Sequence, residues 1–209
     1  MYHYWQPNHF PYDPHYEGKE VYEYEHVPIR DHQNRINLSN GMRTLWAQHV
    51  VWTRMAIISI LLNLPDTKFV LARLLRNAQD MGNALESLYG DRVARKFSEL
   101  IKDHLVIAAD LVRAAKAGDK LDVAIAERKW YANADDIIKF LTKALPYLPK
   151  KEFQKMFYRH LSLTKAEAES ILNKDYQGGI QLYDQIEHEA LMMADQMTKA
   201  IEKQFPERF

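Results

Sequence analysis

Five stretches of this chain with helical periodicity carry His, Asn, Asp or Glu on an otherwise apolar face, and three of those residue types ligate divalent metals. His49 stands on a stripe formed by Met42, Leu45, Thr53, Ala56 and Ile60. His104 stands on one formed by Val93, Phe97, Leu100, Ile101, Ala108, Leu111 and Ala115. Asn133 lies within Ala126, Trp130, Ile137, Phe140, Leu141 and Ala144, with Asp136 at the edge. Glu187 lies within Ile180, Ile186, Ala190, Ala194, Met197 and Ile201, and Asp184 precedes it by one turn. His160 shares a face with Phe153, Met156 and Phe157. A buried carboxylate without a partner costs several kcal/mol, and a buried neutral imidazole still has two ring nitrogens to satisfy. One divalent cation would answer all of these needs.

The expectation is therefore a mononuclear site to which His49, His104, Asp136 and Glu187 converge, with Asp184 and His160 as further or supporting ligands. Glu127 is a reserve. His and carboxylate ligands favour iron, manganese or zinc, and the lack of thiolates disfavours copper(I). The usual diiron pattern of two Glu-x-x-His motifs is missing, since Asp184-Gln-Ile-Glu187 has the spacing but ends in Glu. The competing expectation is structural: His49–Glu187 and His104–Asp136 as buried pairs that fix helix register.

Punctuation by Gly, Pro and Asp divides the chain into helices over 40–63, 66–89 (bent near Gly82), 91–117, 119–145, 150–161, 164–173 and 175–205. Thr164 and Glu167 have the spacing of a capping box at the start of the sixth. No stretch alternates with the period of two that a half-buried strand needs. The predicted fold is all-α: an antiparallel four-helix, ferritin-like bundle with additional short helices and an extended N-terminal tail. Helix rise puts His49 and His104 about 12 and 20 Å from one end, and Asp136 and Glu187 about 14 and 20 Å from the other. The openings His104-Leu and His160-Leu, and Leu-Pro at 64–65 and 145–146, suggest a duplication of two three-helix units.

Residues 1–36 read as a separate extended tail, and 37–209 as the helical domain. The tail holds six of the 12 Tyr, five of the nine His and four of the eight Pro. Prolines at this density exclude a helix. The aromatic and imidazole side chains suit a protein partner taken up through the tail.

With 28 basic and 28 acidic side chains in 209 residues, nothing electrostatic favours nucleic acid. Zero cysteine excludes disulfides and thiolate chemistry. The longest apolar run, Ala56–Leu62 with Ser59 inside it, falls far short of a membrane span of about 20 residues. No basic, apolar leader opens the chain. The expected protein is soluble and cytoplasmic, free or as a homo-oligomer, with the spore coat as the alternative location. Dinucleotide, Walker, zincin and nucleophile-elbow motifs are absent.

Over roughly residues 42–206 the chain resembles a family of small, uncharacterised helical proteins of spore-forming bacteria. The residues that carry the likeness are Trp46-x-x-His49-x-x-Trp52-Thr53-Arg54, Arg73-Leu-Leu-Arg76-Asn77, Tyr89-Gly90, Gly118-Asp119, Trp130-Tyr131-Ala-Asn133-Ala-Asp135 and Tyr183-Asp184-x-Ile-Glu187. That family sometimes carries the label acetylglutamate kinase, which implies a parallel sheet and glycine-rich phosphate loops that this sequence lacks. The segment around His49 also resembles ferritin-like metal-binding bundles with a Glu-His-x-x-Trp segment, with Gln48 in place of the Glu. The resemblances imply a bundle and a metal ion without naming a reaction. The leading function is thus a metal-binding bundle, and the alternative is a non-catalytic structural or interaction protein.

Overall fold

The computed structural model describes residues 29–209, and among these the chain is helical with no strand. Six helices follow one another: α1 Ile29–Leu62, α2 Thr67–Tyr89, α3 Asp91–Ala117, α4 Lys120–Ala144, α5 Lys150–Leu172 and α6 Tyr176–Gln204. The all-α expectation holds. The layout differs from four long helices with short connectors, because all six span at least 23 residues.

Two boundaries move for physical reasons. The break expected at 162–163 does not exist, since no Gly or Pro interrupts α5 there. Thr164 Oγ1 donates to the His160 carbonyl at 2.8 Å within the helix instead of capping a new one. At the other end, α1 begins at Ile29, so the boundary drawn at residue 36 falls inside it. Asn34 and Arg35 tie this first stretch to the C-terminus by donating to the Arg208 and Phe209 carbonyls, each at 3.0 Å. Residues 1–28 lie outside the described residues, and with them most of the segment read as a Tyr/His tail.

The helices pack as a closed ring in chain order, α1 against α2, α2 against α3 and so on round to α6 against α1. Across the ring the main contacts are those of the odd helices with one another. Thus α1, α3 and α5 form an inner triangle, and α2, α4 and α6 sit outside in its three grooves. Short connections make successive helices antiparallel, so the three inner helices run parallel.

This is a three-fold repeat of helix hairpins rather than a duplication of three-helix units. His49, His104 and His160 lie 55 and 56 residues apart and occupy the same place in each repeat. Seven residues before each His stands a buried Met42, Phe97 or Phe153, and one residue after it Val50, Leu105 or Leu161. Fourteen residues after each, the chain turns through a left-handed residue: Asn63 (φ 55°), Gly118 (φ 71°) or Lys174 (φ 61°). An Asp then opens the outer helix. Asp119 and Asp175 accept bonds from amides of the first turn, at 3.0 and 2.9 Å. Asp66 accepts instead from Ser59 Oγ at 2.9 Å.

Gly82 marks a close crossing of α2 and α3. A methyl group there would lie 2.6 Å from the Ala94 carbonyl oxygen and 2.8 Å from Ser98 Cβ, so α2 and α3 need a residue without a side chain at this point. By length and composition α1 could cross a membrane: a window within His32–Leu62 reaches a mean hydropathy of 1.4, with 44% of it buried inside the bundle. Counting unbroken apolar runs missed this, because Thr53 and Arg54 interrupt the stretch.

Candidate functional site: three imidazoles at the bundle axis

Each inner helix presents one histidine to the axis, and all three are buried, at 4, 2 and 3% exposure for His49, His104 and His160. The His49 and His160 ring centroids are 6.0 Å apart. Trp130 stacks on His104 at 5.2 Å, and Phe157 meets the same ring edge-on at 5.4 Å.

The outer helices hold two of these rings by an identical device. Asn77 donates from Nδ2 to the Leu45 carbonyl at 3.0 Å, which fixes the amide so that Oδ1 faces His49 Nδ1 at 3.2 Å. Asn133 donates to the Leu100 carbonyl at 3.1 Å and turns Oδ1 to His104 Nδ1 at 2.8 Å. Leu45 and Leu100 each lie one turn before their histidine. An amide oxygen can only accept, so Nδ1 must carry the proton in both rings and Nε2 keeps its lone pair.

The third repeat departs from this pattern. The position of Asn77 and Asn133 is taken by Glu189, buried at 6% exposure. Its longer side chain reaches Arg159 at 2.9 Å through Oε1. Its Oε2 and His160 Nδ1 are both buried without a hydrogen-bond partner among the described residues. Ala78, Ala134 and Ala190 follow the three polar residues and are fully packed.

Burial dominates the titration of the rings, because a charged imidazole would lose its hydration. It lowers His49 to about 4, against the raising effect of Asn77. It lowers His104 to about 3, helped by the nearby His49 and opposed by Asn133. It lowers His160 well below the usual range, helped by both other rings. All three are neutral at physiological pH.

The carboxylates expected at the centre are elsewhere. Asp136 and Asp184 are exposed and Glu187 is half-buried, beside Tyr183, whose hydroxyl it pushes up after burial. The buried face of α4 runs through Asn133, Ala134, Ile137 and Ile138, which leaves Asp136 outside it. The buried face of α6 keeps Ile186, Ala190, Ala194, Met197 and Ile201 of the expected stripe but widens toward Glu189 and Met193, which leaves Glu187 at its edge. Glu127 pairs with Lys165 at 2.8 Å on the flank. The expected pairs His49–Glu187 and His104–Asp136 are replaced by His49–Asn77 and His104–Asn133. Of the expected ligands, the structure therefore brings together His49, His104 and His160. Among the described residues, no three His, Asp or Glu side chains are drawn tightly enough to enclose an ion as they stand.

Asn77 and Glu189 were missed by reading stripes one helix at a time. The signal that finds them is the repeat: a polar residue followed by Ala, 28 or 29 residues after each of the three histidines. Comparison with protein-family models, with curated proteins and with solved structures finds no match.

Below the imidazoles, toward the 63–66, 118–119 and 173–175 turns, lies a buried carboxylate of a different kind. Glu167 is 1% exposed and pairs with Arg54, which also donates to the Gly179 carbonyl at 3.1 Å and lies 5.2 Å over the Tyr183 ring. Burial raises the Glu167 carboxyl to about 6 even against the lowering effect of Arg54. Its counterparts in the other repeats are Ala56 and Leu111.

Proposed function

We propose that this chain is a metal-binding helical bundle, ferritin-like in drawing its ligands from facing helices, and that the ion is held by Nε2 of His49, His104 and His160. The observation that supports this reading is the matched pair of asparagine clamps. Metal-ligating histidines commonly donate their other ring N–H to an acceptor that fixes tautomer and orientation, and Asn77 and Asn133 do this for two of the three rings. The low proton affinity of the rings keeps the lone pairs available at neutral pH. His160 has no clamp on Nδ1, so it is the ring free to turn inward and close the set.

An all-imidazole set narrows the metal. Manganese prefers oxygen ligands, whereas imidazole suits zinc and iron(II). Three His ligands would leave a fourth tetrahedral position open, the arrangement of catalytic rather than structural zinc.

The second reading is that the three rings form a polar layer fixing which helices meet, in a non-catalytic structural protein. The absence of a close three-ligand group among the described residues favours it. Titration of metal-free protein with cobalt(II) separates the two. Intense tetrahedral d–d bands at one equivalent, lost in His49→Ala, His104→Ala and His160→Ala but kept in Asp136→Asn and Asp184→Asn, support the metal centre. No bands, and no zinc by elemental analysis, leave the polar layer.

A further inference from the structure

One helical turn beyond the imidazoles the inner helices fail to close. The apolar core divides here into a large cluster and a smaller one around Ile57, Ile60, Val112 and Ala168. Between them lies a cavity of about 50 Å³, lined by residues of both. Its walls are almost wholly apolar. The space exists because alanines stand where larger residues would fill it: Ala56 on α1, Ala108 on α3 and Ala168 on α5.

The imidazole layer lies one helical turn from the cavity and is separated from it by the residues that line it. Leu105 and Trp130 belong to the cavity's lining, and they are respectively the chain neighbour and the stacking partner of His104. Thr53 and Thr164 also line it, but their hydroxyls are spent on the His49 and His160 carbonyls, at 2.7 and 2.8 Å. At the rim Lys165 is neutralised by Glu127 at 2.8 Å. Glu169 stands 4.0 Å from the same Lys165, and Trp130 Nε1, buried without a partner among the described residues, is a lone donor in a wall that gives a polar ligand or a water few further partners.

We propose that this cavity is a binding site for one small uncharged apolar molecule of two or three heavy atoms, held one helical turn from the imidazole cluster. Size sets the class: an engineered apolar cavity of about 150 Å³ accommodates benzene and xenon, so a third of that volume fits a diatomic gas or a two-carbon hydrocarbon. Apolar walls keep such a cavity dry, and a dry cavity is filled by a solute that water does not hold. The nearness to a metal rests on the reading above, whereas the occupancy does not.

The test uses the full chain, metal-free and cobalt-loaded, with methyl-labelled Ile, Leu and Val observed by NMR under xenon pressure. Saturable shifts of the Ile57, Leu105 and Val112 methyls are expected in both forms, and they should vanish in Ala108→Leu. Ala56→Val serves as the filling variant if Ala108→Leu does not fold. Ethane should reproduce the shifts, while dissolved dioxygen should broaden the same methyls through its paramagnetism, which tells the two ligand sources apart. Perturbation of the cobalt bands by either gas in the loaded form supports that nearness to the metal. Shifts that are absent, do not saturate or survive in the filled variant overturn the site, and equal shifts with benzene overturn its size class. Cobalt binding with no xenon response removes the cavity proposal alone, and xenon response with no cobalt binding removes the metal alone.

Discussion

His104 and Asn133 are joined by a 2.8 Å hydrogen bond, and the amide of Asn133 is itself anchored 3.1 Å from the Leu100 carbonyl one turn before that histidine. The α1–α2 hairpin repeats the arrangement in full with His49, Asn77 and Leu45. An asparagine that bridges a side chain and a backbone carbonyl across two helices locks their rotation and their height together.

Removing the bridge should cost more than a typical surface change. Asn133→Leu leaves His104 Nδ1 without its acceptor in a dry core and takes one of two bonds from the Leu100 carbonyl, which keeps its helical amide, an expected loss of about 1–3 kcal/mol. The double variant Asn133→Leu with His104→Leu removes both ends of the His–Asn bond and should lose less than the sum of the single variants. Urea unfolding of the four proteins checks this, and strict additivity would show that the bond couples nothing.

Acid should unfold the metal-free protein early. The unfolded chain binds protons at each of the three histidines from about pH 6.5 downward, whereas the folded chain resists until about 4 at His49 and about 3 at His104. Stability is therefore complete above about pH 6.5 and declines as pH falls below it, by about 1.4 kcal/mol per pH unit for each fully titrating ring. Glu167 acts in the opposite sense. Its folded value is raised to about 6, so its contribution is present below the unfolded carboxyl value and is lost as pH rises through 6. The decline between pH 6 and 4.5 should thus be shallower than three rings alone would give, and steeper in Glu167→Gln. Chemical denaturation at half-unit pH steps gives the slopes directly.

Helices α2, α3, α4 and α6 were legible almost to their ends because Gly, Pro and Asp punctuate them, whereas α1 begins earlier than its punctuation suggests and α5 reads as two helices. The arrangement of the six was not legible, since a helix split at Thr164 hides the equivalence of α5 with α1 and α3. With α5 whole, the inner position of all three histidines follows from the spacing alone. The carboxylates were misplaced for a related reason. Glu187 and Glu189 lie about 200° apart around α6, on opposite edges of the stripe through Ile186, Ala190 and Met197, and periodicity alone does not say which edge faces inward. His49, His104 and His160 were legible because each stands in mid-stripe, where a small rotation changes nothing.

Two glycines inside helices should respond to alanine with opposite signs. Gly41 sits within α1 with open space around it, so Gly41→Ala should stabilise by about 0.5–1 kcal/mol through backbone entropy alone. Gly82 faces the Ala94 carbonyl oxygen at 2.6 Å from any added methyl, and that obstacle is backbone that cannot rotate aside. Gly82→Ala should force α2 and α3 apart and destabilise by about 1–3 kcal/mol, net of the helix-propensity gain. Thermal unfolding of both variants decides the matter, and a stabilised Gly82→Ala would mean that the helices do not cross this closely.

The third repeat can be converted to the pattern of the first two. Glu189 stands where Asn77 and Asn133 stand, but its carboxylate goes to Arg159, leaving Oε2 and His160 Nδ1 both buried and unpartnered. Glu189→Asn shortens the side chain by one methylene, removes a buried charge and places an amide oxygen at the height from which the other two rings are held. Imidazole N–H protons held in a buried hydrogen bond exchange slowly with solvent and resonate downfield. The wild-type chain should show two such signals, from His49 and His104, and Glu189→Asn should show a third that disappears in the double variant with His160→Ala. Stability should rise, because an unsatisfied buried pair is replaced by a satisfied one, a difference of about 1–3 kcal/mol less the Arg159 ion pair. If the metal centre forms by an inward turn of His160, the new clamp should also raise cobalt affinity by fixing that ring in advance. Two signals in the variant, or a fall in stability larger than loss of the Arg159 pair explains, would show that Glu189 does not occupy the equivalent place.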